Sequence, residues 1–305
     1  MSALKVFGHK SPDTDTTCSA IIWAWYLNAT GQEATPYMLG EPSNETAYVL
    51  KRWGAPQPEL LPVLTSDDSV VIVDTNNPQE LPENISDTNI LAVIDHHKLS
   101  GLVTKTPPMV HMRPLACTAT VMYDLMGEKA KDMPEEIAGL MLSCILSDTL
   151  EFRSPTTTPH DQEVAEKIAA QYGIDLHRLA EEMFAAKSDV SKYSEAELLT
   201  LDAKKFEVAG KNLLVSSLET TSPAGVLARK AGFVAAIKDI AVKEGVDDVL
   251  FFIVDILKEE ATVLLQNDFV KKVIKASFGA DVSGDTAVLP GVVSRKKQIL
   301  PVLKV

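Results

Sequence analysis

Three short apolar runs near the N-terminus end in the same way, and that repetition constrains the fold more than any other feature. LKVF (4–7), SVVIVD (69–74) and ILAVID (90–95) are apolar at nearly every position and rich in β-branched residues. Such runs read as strands buried on both faces. The first leads into His9, Asp13 and Asp15, the second closes on Asp74, and the third on Asp95 followed by His96 and His97. Amphipathic segments after Thr16 and around Ser43–Trp53, Ala119–Met126, Pro134–Ser147 and Pro159–Tyr172 read as helices. Thr158-Pro159-His160-Asp161 looks like a helix start, with Thr158 as N-cap, proline at the first turn and an acid three residues on. Strands alternating with helices predict βαβ units and a mainly parallel, doubly wound sheet. Ligands bind such sheets beyond the carboxyl ends of the strands, so acids and imidazoles distant in sequence should converge along one edge.

Asp148 joins this set from a helix. Ile137, Leu140, Met141, Cys144 and Ile145 form a stripe at helical spacing that Asp148 continues. A carboxylate there either begins a loop and faces water, or is paired or bound to a metal. The whole set offers oxygen and imidazole and no thiolate, which suits Mn²⁺, Co²⁺ or Mg²⁺ better than a closed tetrahedral zinc site. Asp13, Asp15, Asp74, Asp148, His9 and His96 are too many donors for one catalytic ion with open positions. They suit two ions, with Asp74 and Asp148 as candidate bridges. Two metals ~3.5–4 Å apart clamp the attacking and leaving oxygens of an in-line displacement at phosphorus. Taken singly, each residue has a plainer reading as a helix cap or a structural histidine. The specific signal is the combination of HxxxDxD, a strand-end Asp and DHH.

Composition narrows the alternatives. A formal charge of −13 over 305 residues argues against a general nucleic-acid binder, whose phosphate affinity needs a basic face. Cys18, Cys117 and Cys144 are far apart with no CxxC, as expected of free thiols in a reducing compartment. The apolar stretch Ala20–Leu27 is too short to span a bilayer and has no charged region before it, so neither a signal peptide nor a membrane span is expected and the cytoplasm is the default. No GxxxxGK[ST] and no convincing GxGxxG is present, which argues against an NTPase or a dinucleotide enzyme. His111, His160 and His177 read as structural, and Trp23-Ala24-Trp25-Tyr26 as core or interface.

A polar segment, SDVSKYSE, separates a first domain (1–187) from a second (196–305), with 188–195 as linker. The second domain predicts a strand at 212–219, a helix over about 224–244, two strands within 249–266, a helix at 268–278 and an apolar close from 288 to 303. The resulting fold class is α/β, with a smaller C-terminal domain carrying a mixed sheet and an active site in the cleft between the two. Arg295-Lys296-Lys297 alone reads as a solvated basic edge. Inside an acidic chain, framed by apolar GVV and ILPVL, a pocket-facing role gains weight.

GHKSPDTDT, VIVDTNN, VIDHHK, CTAT, SDTLEF and SRKKQ occur here in this order. Together they resemble the family II, manganese-dependent inorganic pyrophosphatases of the DHH phosphoesterase superfamily, over essentially the whole chain. DHH alone would indicate only the superfamily; SRKKQ narrows it. The resemblance implies hydrolysis of pyrophosphate by a hydroxide activated between two Mn²⁺, with additional Mg²⁺ arriving with substrate. It implies His9, Asp13, Asp74 and Asp148 on one metal, and Asp15, Asp74, His96 and Asp148 on the other. It assigns His97 to substrate contact and general acid catalysis, and Lys204, Arg295 and Lys296 to phosphate binding, Lys205 being the near neighbour of Lys204. It also implies a homodimer through the first domain. One departure stands out: many members read DHN where this chain has Asp74-Thr75-Asn76, which bears on metal affinity. The rival enzyme class is another DHH phosphoesterase, an exopolyphosphatase or a nuclease, though the glycine-rich GGGH-like segment usual in the nucleases is not found. The rival outside catalysis is a metal or nucleotide sensor, which would tolerate loss of a ligand or of the cationic triplet; both sets are intact.

Overall fold

The computed structural model describes residues 3–208 and 210–304, and the chain divides into two compact units, Met1–Lys187 and Ser188–Val305. In the N-terminal unit the elements run β1 (Leu4–Phe7), α1 (Thr14–Ala29), β2 (Ala34–Met38), α2 (Asn44–Trp53), β3 (Glu59–Leu60), β4 (Ser69–Val73), β5 (Asn89–Asp95) and β6 (Met109–Met112). Four helices follow: α3 (Thr118–Met126), α4 (Glu135–Thr149), α5 (Pro159–Tyr172) and α6 (Leu176–Lys187). The strands form one sheet in the order β3-β2-β1-β4-β5-β6, every pair parallel. The chain winds outward from β1 through β2 to β3, then returns to the other side of β1 as β4. The reversal between β1 and β4 is the topological switch point, where open α/β sheets form crevices.

The apolar strands are where the sequence places them. Val6, Phe7 and Val70 to Val73 are buried, as expected of central strands covered on both faces. α1 begins at Thr14, earlier than its apolar pattern suggests, because the Asp13 carboxylate accepts from Thr16 N at 2.9 Å and caps it. Asp15 consequently lies inside the first helical turn rather than ahead of it. α1 is buried around most of its circumference and packs on α3, α4 and β2, so it is an interior helix. The expected start of α5 forms as a capping box between Thr158 and Asp161 with proline in the first turn. β2 and β6 carry no continuous apolar run. Pro36 of β2 precedes the residues that pair with β3, so its missing N–H costs that short ladder nothing. β6 is an edge strand with Met109 and Val110 exposed.

The C-terminal unit contains α7 (Glu195–Leu201), β7 (Ala203–Val208), β8 (Lys211–Thr220), α8 (Pro223–Leu227), α9 (Lys230–Glu244), β9 (Asp248–Asp255), β10 (Glu260–Leu264), α10 (Asp268–Phe278) and β11 (Thr286–Pro290). Its sheet runs β11-β10-β9-β8-β7, with β8 and β9 parallel and the other pairs antiparallel. β9 is buried at all eight positions, with α10 and the C-terminal segment on one face and α7 to α9 on the other. The single helix expected over 224–244 is two, broken at Ala228 and Arg229. Arg229 at the break bonds the Val190 and Tyr193 carbonyls and the Glu195 carboxylate, which ties the 190–195 segment down.

Gly8, directly after β1, carries the closest approach near the switch point. A Cβ there would lie 2.6 Å from Thr16 Cγ2 and 2.7 Å from the Val73 carbonyl. Gly8→Ala is therefore expected to cost about 1–3 kcal/mol by overpacking. The urea midpoint of the chelator-treated protein should fall with an unchanged m-value; an unshifted midpoint would refute the close packing.

Candidate metal centre

The ends of β1, β4 and β5, the first turn of α1 and the last turn of α4 meet at the switch point. Three groups of donor atoms lie within 4.8 Å of one another: His9–Asp13–Asp74, Asp15–His96–Asp148 and Asp74–His96–His97. His9 Nε2 is 3.6 Å from Asp13 Oδ2 and 3.5 Å from Asp74 Oδ2, and His96 Nε2 is 3.4 Å from Asp74 Oδ1. Asp74 thus turns one oxygen toward each histidine. Asp148 stays within α4 and takes part in a donor group, so it does not begin a loop.

The arrangement is held largely by groups that carry no charge. Asp74 occupies the left-handed region at φ 59, and its carboxylate accepts from the Thr16 hydroxyl and from Thr118 Oγ1 at 2.9 Å. Asp15 accepts from Thr118 N at 2.7 Å, Ala119 N at 3.3 Å and Ser19 Oγ at 2.9 Å. His96 donates Nδ1–H to the Leu115 carbonyl at 3.0 Å, which leaves Nε2 toward Asp74. The 115–119 turn, which overlaps CTAT (117–120), therefore grips Asp15, Asp74 and His96 together. Glu45 adds a further layer, its carboxylate accepting from Thr14 and Ser147, the residues preceding Asp15 and Asp148.

The electrostatics are those of a cation site. Burial opposes charge on His9, yet hydrogen bonds to Asp13 and Asp74 outweigh it and push its pKa up to about 10. Burial likewise opposes charge on His96, and Asp74 and Asp15 outweigh it, raising it to about 9. Burial and the Asp74 charge push Asp15 up to about 6, and burial with Asp15 and Asp74 lifts Asp148 well above the carboxylate range. Asp74 goes the other way: burial opposes its charge, but hydrogen bonds from His9 and His96 hold it far below that range. The acids outnumber the imidazoles, so protons are retained where a divalent cation would otherwise supply positive charge.

His97 is half exposed and built differently. Its Nδ1 lies 2.9 Å from Asp95 Oδ1, so that nitrogen donates and Nε2 faces outward. The hydrogen bond to Asp95 raises the pKa of His97. Asp95 is fully buried and also accepts from His96 N, His97 N and Asn76 Nδ2 at 2.8, 3.0 and 2.6 Å. Asn76 in turn accepts from Ser100 N at 2.6 Å and donates to the Lys98 carbonyl at 3.0 Å, closing the turn after DHH. Thr75, at the departure from DHN, donates to Glu80 at 2.7 Å. A cavity of about 280 Å³ opens beside these residues, lined in part by His9, Thr75, Glu80, His97, Lys98 and Ser100.

The cationic residues belong to the C-terminal unit. Lys205 of β7 bonds the Glu244 carbonyl at 2.5 Å and so lies on the α9 face. Strand alternation puts Lys204 on the opposite face, with Val208 and the apolar residues that pack against the C-terminal segment. That segment makes a π-turn at Arg295–Ile299, capped by Ser294 Oγ accepting from Lys297 N at 3.3 Å. Gln298 accepts from Val293 N and Ser294 N and donates to the Gly291 carbonyl at 2.6 Å. Ser and Gln of SRKKQ thus shape the turn, Arg295 is held by Asp202, and Lys296 and Lys297 are exposed. Asp202, Asn76 and Thr118 carry no signal in the sequence, and Asp95, the acid of DHH, orients the two histidines rather than joining a donor group. His111 sits on β6, His160 bonds Asp124 at 2.9 Å and His177 bonds Glu151 at 2.6 Å, none within a donor group.

Comparison with known proteins bears on this geometry. The family model described as "DHH family, N-terminal domain" matches residues 4–145, and that described as "DHHA2 domain" matches residues 181–305. The manganese-dependent inorganic pyrophosphatase of Bacillus subtilis is 37% identical over 304 residues, covering 99% of this chain and 98% of that protein. The chain belongs to the family II, manganese-dependent inorganic pyrophosphatases. A Deinococcus radiodurans protein named a probable member of these pyrophosphatases is 39% identical over 306 residues, again with 99% and 98% covered. The crystal structure of a Methanococcus jannaschii protein assigned to the family II inorganic pyrophosphatases superposes with a TM-score of 0.59 at 34% identity, covering 98% of this chain and 97% of that one. The family's two-domain α/β architecture, a parallel sheet followed by a mixed one, is the architecture found here.

A cation taking up His9 or His96 must displace its proton. In the cation-free protein both stay charged at pH 7 and 8, since they titrate at about 10 and 9. Being raised above the ordinary value, these protons favour the cation-free fold below about pH 6.5 and are lost only as pH rises through 9–10. Mn²⁺ binding should therefore weaken about tenfold per displaced proton on going from pH 8 to 7, with at least one proton released per ion, since Asp148 also holds its proton in the cation-free protein. Calorimetry in buffers of different ionisation enthalpy checks this; pH-independent affinity would contradict it.

Proposed function

We propose that the chain hydrolyses inorganic pyrophosphate to two phosphates, using two Mn²⁺ held by His9, Asp13, Asp15, Asp74, His96 and Asp148. The reading rests above all on the donor groups His9–Asp13–Asp74 and Asp15–His96–Asp148, with Asp74 facing both histidines. Their oxygen and imidazole chemistry fits Mn²⁺, and Co²⁺ or Mg²⁺ by the same criterion. When bound, such ions polarise phosphoryl oxygens and lower the pKa of water toward neutrality.

The chain's own residues supply the rest. Asp74 and Asp148 are the candidate bridges, and the 115–119 turn keeps their neighbours in register. His97 presents Nε2 outward with a raised pKa, which equips it to give a proton to the departing phosphate. Lys204, Arg295 and Lys296 offset the charge of the substrate, which arrives with further Mg²⁺. The acids come from one unit and the cations from the other, and we assign both to one substrate.

We also read the protein as a cytoplasmic homodimer without nucleic-acid partners. The three buried free thiols support a reducing compartment, and no described helix is long and apolar enough to cross a membrane. The exposed edge strand β6 in the N-terminal unit supports pairing between copies. Light scattering should give a mass near twice 33.1 kDa; a monomer's mass would remove the dimer.

Phosphate release from pyrophosphate, tripolyphosphate and a dinucleotide tests the activity. The chelator-stripped chain should be silent, Mn²⁺ should restore release, and pyrophosphate should be the preferred substrate. Preference for the dinucleotide would overturn the reading. Asp74→Ala should lose metal and activity together, by on the order of a hundredfold or more. Lys296→Ala should retain metal while kcat/KM falls about ten- to a hundredfold through a higher KM and lower kcat; loss of metal in that variant would sink the division of roles.

A further inference from the structure

A phosphate-binding arginine normally keeps its donors for the phosphate, yet Arg295 has committed two of them. Its Nη1 donates to the Asp202 carbonyl and its Nη2 to Asp202 Oδ1, the latter at 2.7 Å. Asp202 is itself anchored to β8. Ser217 N donates to the Asp202 carbonyl at 3.0 Å and Ser217 Oγ to Asp202 Oδ2 at 3.2 Å. The chain Ser217–Asp202–Arg295 thus runs from the interior of the sheet to the cationic turn. The Arg295 side chain is only 11% exposed, whereas that of Asp202 is 59% exposed. The guanidinium is therefore packed in place, and the carboxylate that directs it is the accessible partner.

We propose that Asp202 is a positioning residue for Arg295, fixing the guanidinium plane that receives a substrate phosphate. The inference rests on the reading of Arg295 as a phosphate ligand given above. A guanidinium has five N–H donors in a rigid fork. Asp202 takes one from each terminal nitrogen, leaving Nε–H and one further donor on each Nη for an oxyanion. A long side chain immobilised before substrate arrives does not lose that freedom on binding. The carboxylate also costs something, because it repels the phosphates that Arg295 attracts. Orientation and repulsion predict opposite outcomes when Asp202 is truncated: loss of orientation weakens binding, and relief of repulsion strengthens it. Lys204 is two residues along from Asp202 on the adjoining strand, so the same anchor serves the start of β7. Asp202 was invisible in the sequence because its partners lie 15 and 93 positions away.

The test uses the full chain loaded with Mn²⁺ and the non-hydrolysable probe methylenediphosphonate, alongside KM and kcat for pyrophosphate. Asp202→Ala should weaken the probe about tenfold, the loss of a hydrogen bond made to a charged group. KM should rise more than kcat falls, and bound Mn²⁺ should be unchanged. Asp202→Asn retains an oxygen for Nη2 and should recover to within about threefold of wild type. Combining Asp202→Ala with Arg295→Ala should bind no more weakly than Arg295→Ala alone, because the residues act as one. Asp202 is exposed, so its truncation leaves the core intact. Wild-type or tighter binding by Asp202→Ala, or additive losses in the double variant, overturns the positioning role and leaves Arg295 as a ligand. Wild-type binding by Arg295→Ala overturns the ligand assignment itself, and the positioning role with it.

Discussion

The N-terminal site depends on one buried carboxylate. Asp74 lies at the switch point, 2% exposed, in a backbone conformation that L residues adopt at a cost. A buried carboxylate is tolerable only with compensation, and here it comes from two hydroxyls and two imidazoles at once. Those four partners sit on or beside α1, α3, β1 and β5. The same atom group that needs stabilising therefore gathers the elements that stabilise it. The acids still outnumber the imidazoles around it, a donor set that could hold a cation rather than a neutral salt-bridge network.

What could be read from the sequence follows from how each element is buried. β1 and β4 are covered on both faces and β5 is covered except around Leu91, so their residues are apolar almost without exception. β2, β3, β6 and β7 carry polar residues, proline or only two positions, and nothing local distinguishes them from loops. The cysteines, far apart in sequence and read as free thiols, are free and buried. Cys144, however, is close enough to Cys18 and Cys117 for both thiols to act on it, and burial pushes it well above the ordinary thiol range. Distance along the chain said nothing about that neighbourhood.

The same limit applies within the sites. HxxxDxD and DHH announce donors because they are dense in sequence. Thr118 meets Asp15 across 103 positions, and Asp161, fully buried, holds Ala116 N across 45. Lys204 and Lys205 look interchangeable as letters, and only strand alternation separates them. The residues that do the holding are ordinary threonines, asparagines and aspartates, whose partners exist only once the sheet has formed.

The turn from Leu115 to Ala119 carries a consequence of its own. It holds His96 through a carbonyl and Asp15 through two amides, and only the grip on Asp74 uses a side-chain oxygen. A clamp made mostly from main chain depends on the peptide path first and on the letters that occupy it second. Ala116 to Ala119 are buried, so only small side chains fit, and a single inserted or deleted residue would throw every contact out of phase. Relatives should consequently keep a hydroxyl at the Thr118 position, small residues beside it, and a constant number of residues between β6 and α3.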